Sequence, residues 1–364
     1  MMSAQSTPLR FVHDALPQRV LFGAGAASEH VRDEVERLGA RRVMVLASAD
    51  EAQLVARAAG RIEPVLEWTE IAQHVPVDIA VAARAAAIEA SVDLLVSVGG
   101  GSTTGMAKAI ALETGLPIIA VPTTYAGSEA TNVWGLTEAE RKTTGVEPRV
   151  LPVSVVYDSE LTLSLPVALS VASGLNGIAH CVDALWAPRA DPINAALGAE
   201  AIRALAGGLR GIVADPQGLP GRDEALYGAY LAAVSFASAG SGLHHKICHA
   251  LGGTYGLPHA QTHAVVLPYV TAFNVDSAPD AARRLQAAFG ADDPLAGLVA
   301  LREELDAPRA LRDLGFEEAS IEEAAEIILP SVPPTNPRPV AAADLVRILR
   351  AAWAGTDPAE LRAR

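Results

Sequence analysis

The sequence predicts a parallel α/β sheet followed by an all-helical second half, and three observations predict it. Short β-branched runs alternate with amphipathic, Ala-rich stretches from about Arg19 to Asp158. The strand pattern stops after Leu165-Pro166, and long segments of helical periodicity then run to the end. At 364 residues the chain is longer than one hydrophobic core usually serves. Two domains are expected, 1–160 and 161–364.

Taken in order, RVLFG (19–23), RRVMVLA (41–47), EPVLEW (63–68), VDLLVSVGG (92–100), LPIIAVP (116–122) and VSVVYD (153–158) mark successive strands. The helical half is punctuated by Asp-Pro, Gly-Leu-Pro and the Pro-rich stretch SVPPTNPRP at 331–339. That stretch reads as a surface loop, because only one short helical segment follows it.

Half the residues are hydrophobic and only 4% aromatic, with Ala dominant, which favours tightly packed helices over stacking platforms for bases or sugars. A net charge of -14 argues against nucleic acid or an anionic membrane as partner, since either needs a basic face. A small dianionic substrate would still need local Arg or Lys. The two cysteines, Cys181 and Cys248, are too few for a disulfide framework and are expected to be reduced. Met1 to Pro17 lacks the pattern of a signal peptide, and no apolar run approaches a membrane span, so a cytoplasmic location is expected.

Gly99, Gly100, Gly101 and Ser102 lie between a buried strand and a helix expected to open at Thr103 or Thr104. Glycines there let backbone N–H groups approach an anion, and the helix N-terminus adds its positive end, so a pyrophosphate fits. A purely steric turn is the alternative; the spacing is neither GxGxxG nor a P-loop. Lys108, a turn into that helix, is expected on its exposed face or near the phosphates. Thr123, Thr124, Tyr125 and Ser128 follow the next strand, where hydroxyls suit a cofactor lying across a doubly wound sheet. An ordinary turn of small residues would look the same.

Of nine histidines, His245 and His249 are four apart on one helical face, and His180 stands four after Asn176. His259 follows a Gly-Leu-Pro turn that leads into the next helix. Two helices and a loop converging in this way point to a divalent metal site or a proton-transfer centre. His13, His30, His74 and His244 read instead as packing residues.

GGGS, PTTYAGSEAT, SGLNGIAH and HHKICHALGGTYGLPH, in this order, resemble the iron-containing alcohol dehydrogenase family over nearly the whole chain. The resemblance implies a Rossmann-like dinucleotide-binding domain, an all-helical catalytic domain and a cofactor between them. Of the family's metal-ligand positions, the Asp falls on Asn176 and the three His on His180, His245 and His259. His249 matches a further histidine kept near the nicotinamide. With a neutral amide for the one anionic ligand, the site reads as vestigial, and a metal is not expected to be required.

This departure resembles a branch that reduces the carbon–carbon double bond of an enone dicarboxylate in the breakdown of aromatic compounds. Asn176, His180, His245, His249 and His259 would then form the catalytic cluster, with His249 first as proton donor and His245 second. Tyr125, Lys142, Lys246 and Arg149 are candidates to hold the substrate, though each charge reads first as a solvated surface group. Ser48 stands where the family has an Asp for the adenosine ribose, so NADH and NADPH are both expected to serve, while Asp50 could restore some preference for NADH. The family also implies a homodimer. A metal-dependent alcohol dehydrogenase and a non-catalytic NAD(P)-binding sensor are the competing readings.

Overall fold

The computed structural model describes residues 9–138 and 141–362. The first half contains β1 (Arg19–Phe22), β2 (Val43–Leu46), β3 (Leu66–Trp68), β4 (Leu94–Gly99), β5 (Ile118–Pro122), β6 (Val133–Glu138), β7 (Arg141–Val146) and β8 (Ser154–Tyr157). Six of these form one sheet in the order β1-β8-β5-β4-β2-β3, every pairing parallel. They are the six runs marked in the sequence. The antiparallel β6–β7 hairpin was not expected; β6 is only half-buried and β7 (RKTTGV) is largely polar, so neither carries the β-branched apolar run that announces a buried strand.

Successive residues of β2 show why the sheet needs cover on both sides. Val43 and Val45 point into one core with α1 (Ala27–Leu38) and α2 (Ala52–Ala59), whereas Met44 and Leu46 point into another with α3 (Val77–Glu89) and α4 (Gly101–Thr114). From β2 the chain turns one way to β3, then crosses back to β4 and continues the other way. The strand order thus reverses between β2 and β4, and a crevice opens beyond their carboxyl ends, where open α/β sheets bind ligands.

The second half comprises α5 (Val167–Ala184), α6 (Pro192–Ala214), α7 (Leu219–Ala239), α8 (Leu243–Tyr255), α9 (His259–Asn274), α10 (Pro279–Phe289), α11 (Pro294–Glu304), α12 (Ile321–Ile328) and α13 (Ala342–Ala354). Small residues let helices meet backbone to backbone. A Cβ on Gly208 of α6 would lie 2.5 Å from the Ala225 nitrogen of α7, and one on Gly228 of α7 would lie 2.8 Å from the Leu205 nitrogen of α6. The Pro-rich loop is docked: Asn336 and Asn274 exchange side-chain hydrogen bonds of 3.0 and 2.8 Å, and the Arg338 guanidinium lies 4.1 Å above the Phe273 ring.

One helix departs from the reading that no apolar run approaches a membrane span. α5 reaches that length and apolarity. It does so as the central helix of the bundle, buried along most of its length and carrying the buried polar groups Asn176, His180 and Asp183.

Candidate active site

A cleft of about 640 Å³ runs between the carboxyl ends of β2 and β4 on one side and α5, α8 and the start of α9 on the other. At its sheet end, α4 begins at Gly101, two or three residues earlier than expected, and no side chain caps it. Its first-turn N–H groups are therefore available to an anion. Gly100, Gly101 and Ser102 line the cleft, as do Thr124 and Ser128. A Cβ on Gly100 would come within 3.1 Å of Thr124 Cγ2, so the loop and the wall after β5 already touch.

Gly99 does not line the cleft. Its φ of 150° and the clashes a Cβ would make with Thr103 Oγ1 and, at 2.8 Å, with Glu51 Oε2 make it a steric requirement of the turn. Thr123 is likewise turned away, its hydroxyl donating to Glu51 Oε1 at 3.3 Å. Ser48 and Asp50 do line the cleft, beside Glu51, which the sequence reading passed over. Burial pushes the Glu51 carboxyl up, while the Ser48 N–H and the Thr123 hydroxyl hold it down.

Lys108 is neither exposed nor available to phosphates. Its Nζ donates to the carbonyls of Ser128 (2.6 Å), Thr131 (2.8 Å) and Val133 (2.8 Å) and to Thr131 Oγ1 (3.0 Å). Burial pulls the ammonium down to about 7, partly offset by the nearby Glu129 carboxylate. Four oxygen acceptors around one nitrogen favour the charged form, and the group clamps the 128–133 segment against α4.

At the helical end, His180 of α5, His245 and His249 of α8 and His259, the first residue of α9, line the cleft together. Gly256 makes this possible by ending α8 in the left-handed conformation, φ 65°, so that the chain reverses into α9. The His180 and His245 rings stack with centroids 5.0 Å apart, each also against Phe236, and His249 meets His245 edge-on at 5.8 Å. Asp183, one turn after His180, accepts the Gly242 and His245 backbone N–H groups (2.9 and 3.1 Å) and His245 Nδ1 at 2.7 Å. These donors suit a carboxylate, which fixes the His245 proton on Nδ1 and leaves Nε2 as an acceptor.

Burial dominates the titration of this cluster. It holds His180 down to about 4, against the pull of Asp183, and His245 well below the usual imidazole value, helped by His180, His259 and Lys246. Asn176 is buried on α5, and its Oδ1 has no protein hydrogen-bond partner. Among the described residues, the three ligand atoms that draw within 4.8 Å of one another belong to His244, Cys248 and His263, not to the family's ligand positions. His244 and His263 are hydrogen-bonded at 2.9 Å behind the cleft wall.

Several substrate candidates lie elsewhere. Tyr125 is fully buried, its hydroxyl held by Thr162 (3.3 Å) and Arg222 (3.4 Å) in the network that joins α7 to the 159–166 connection. Lys246 is half-buried and is not among the residues that line the cleft, and Arg149 is exposed and paired with Glu147 at 3.1 Å. The Lys142 side chain lies outside the described residues. His74, read as a packing residue, instead lines the cleft. Only its loop position before Val75-Pro76 could have hinted at this.

Comparison with known proteins agrees with this architecture. Residues 17–159 match the iron-containing alcohol dehydrogenase family, and residues 170–353 match its C-terminal region. The chain is 45% identical to the maleylacetate reductase of Sphingobium indicum over 96% of its own length and 99% of that protein. It superposes on a crystal structure of an iron-containing alcohol dehydrogenase from Corynebacterium glutamicum with a TM-score of 0.96 and 62% identity, covering 98% of this chain and all of that one. For the maleylacetate reductase of Agrobacterium tumefaciens the TM-score is 0.89 at 40% identity, covering 96% and 99% of the two chains. Sheet, cleft, histidine cluster and matched length together make this chain an oxidoreductase that belongs to the iron-containing alcohol dehydrogenase family.

Proposed function

We propose that this enzyme reduces the carbon–carbon double bond of maleylacetate to give 3-oxoadipate, using NADH or NADPH and no metal ion. The observation that carries the reading is a cluster of imidazoles in the cleft with an amide, Asn176, behind it. The one carboxylate in their midst, Asp183, is turned to His245 Nδ1 and two backbone N–H groups. Three neutral imidazoles and an amide oxygen offer no charge to balance a divalent cation, a poor donor set for a tightly held metal.

The dinucleotide would lie with its pyrophosphate on Gly100, Gly101 and Ser102 and its adenosine ribose near Ser48 and Asp50, and its dihydronicotinamide supplies a hydride. The chain's own work is to bind the enone, keep water out and place a proton. As the substrate's alkene carbon is reduced, negative charge grows on the ketone oxygen. His249 is the first choice to donate the proton that completes the reduction. His245 is less suited in its neutral form, because its single N–H is committed to Asp183. A conjugated ketone needs less polarisation than an isolated one, which makes hydrogen-bond donors an adequate substitute for a Lewis acid.

Sheet edge strand β1 and the exposed Leu9, Phe11, Val12 and Phe22 support assembly as a homodimer. The test of the activity is NADH and NADPH oxidation with fresh maleylacetate, on metal-assayed enzyme with and without a strong chelator. Turnover indifferent to chelator is expected. Activity that collapses on chelation and returns with Fe²⁺ or Zn²⁺ would establish a metal-dependent reductase instead.

A further inference from the structure

We infer that His74 binds one carboxylate of the substrate, closing the cleft from the sheet side opposite α8. The inference rests on the proposed dicarboxylate substrate. Such a dianion must be held in a protein of net charge -14. Yet among the described residues the one Lys or Arg that lines the cleft is Lys108, and its Nζ is committed to four oxygens of the 128–133 segment. The cleft-lining Gln73, Trp134 and Gln261 can give a carboxylate only a neutral N–H, so among the described lining residues the imidazoles are the remaining side chains able to meet it with a charged one. Four of them come from the helical half; His74 is the one the sheet half contributes.

Its placement is built. His74 and Val75 have φ values of 62° and 51°, two consecutive non-glycine residues in the left-handed region. Val75 is β-branched and precedes Pro76, two reasons to avoid that conformation. Strain of this kind persists only where surrounding structure over-determines it, and it collects at ligand clamps. Here Thr137 of β6 donates its hydroxyl to the His74 carbonyl (2.9 Å) and its backbone N–H to the Val75 carbonyl (3.1 Å). The buried Val75 side chain presses on α4 at Gly105, where a Cβ would lie 2.9 Å from Val75 Cγ2. On the far side, His74 Cε1 lies 3.9 Å from where a Gly252 Cβ would stand, on α8, three residues beyond His249. The strained pair therefore carries the His74 ring across the cleft to the helix that bears the proposed proton donor.

The test compares wild type with His74→Asn, which tolerates the left-handed backbone, and His74→Ala, with Lys142→Ala as a parallel variant. Steady-state kinetics are expected to show KM for maleylacetate raised at least tenfold in both His74 variants, with KM for NADH within twofold and kcat changed less than fivefold. An unchanged KM for maleylacetate, an equal rise in KM for NADH, or a tenfold rise in Lys142→Ala alone would overturn the assignment. Calorimetry with adipate, a saturated dicarboxylate, on the NADH-bound enzyme reads the subsite without turnover. Binding at least tenfold weaker in His74→Asn supports it even if maleylacetate proves not to be the substrate. No adipate binding to wild type, or equal binding to both proteins, refutes it.

Discussion

Lys108 and the imidazole cluster border the same cleft, and they treat buried polar atoms in opposite ways. Around Lys108 one ammonium satisfies three carbonyls and a hydroxyl. Among the helices, Asn176 Oδ1, His180 Nδ1, His244 Nδ1, His245 Nε2 and His263 Nε2 are buried without a protein hydrogen-bond partner. Leaving such an atom unpaired costs about 1–3 kcal/mol, and native structures keep few of them. Five within α5, α8 and α9 are hard to explain by stability alone. Lys108 ties the 128–133 segment down, with Asn132 Oδ1 its unpaired exception. On the helical side His180 and His245, which line the cleft, keep ring nitrogens available for chemistry, while Asn176, His244 and His263 stand behind them.

The sharpest test of that division removes the first-choice proton donor. His249→Ala is expected to lower kcat by about 10²- to 10⁴-fold, the range for a lost general acid, while the NADH dissociation constant, read by quenching of nicotinamide fluorescence, stays within a few-fold. A kcat within tenfold of wild type would move proton transfer to another group, His259 first.

Lys108→Met probes the other side. It leaves four oxygens of the 128–133 segment without their cation, and a loss of about 3 kcal/mol in urea unfolding is expected, within the range for breaking a buried charged network. Activity should fall less than in His249→Ala. A stable variant with collapsed kcat would reverse the roles assigned to the two regions.

The same contrast decides how much was legible in the sequence. Strands β1 to β5 and β8 announce themselves through local runs of branched residues, and the Gly100–Ser102 turn through its position between strand and helix. The His180, His245, His249 and His259 convergence was legible too, because helical spacing and the Gly256 reversal are local features. Lys108 was not, since nothing near it in sequence reveals that Ser128, Thr131 and Val133 will turn their oxygens inward. Tyr125 was misplaced for a related reason. A hydroxyl next to the cleft-lining Thr124 looks like a ligand contact until Arg222, far along the chain, claims it. His74 depended on a backbone conformation that its own residues disfavour, and propensity points away from such sites.

The smallest expected effect concerns cofactor choice at the end of β2. Ser48 opens the 3-10 turn Ala49–Glu51, with Glu51 returning to accept its backbone N–H at 3.3 Å. Asp caps such a turn as well as Ser does, so Ser48→Asp should fold, at a modest cost from the neighbouring Glu51 and Asp50 carboxylates. Its carboxylate would face the cleft where Ser48 now does, able to accept from both ribose hydroxyls and to repel a 2′-phosphate. Asp50 is exposed at the rim and already supplies some negative field, which limits the gain. A shift of about tenfold in the ratio of kcat/KM for NADH over NADPH is therefore expected, about 1.4 kcal/mol. A ratio unchanged in Ser48→Asp but altered in Asp50→Asn would move ribose recognition out to the rim. A shift toward NADPH would mean that the adenosine end does not lie beyond β2 at all.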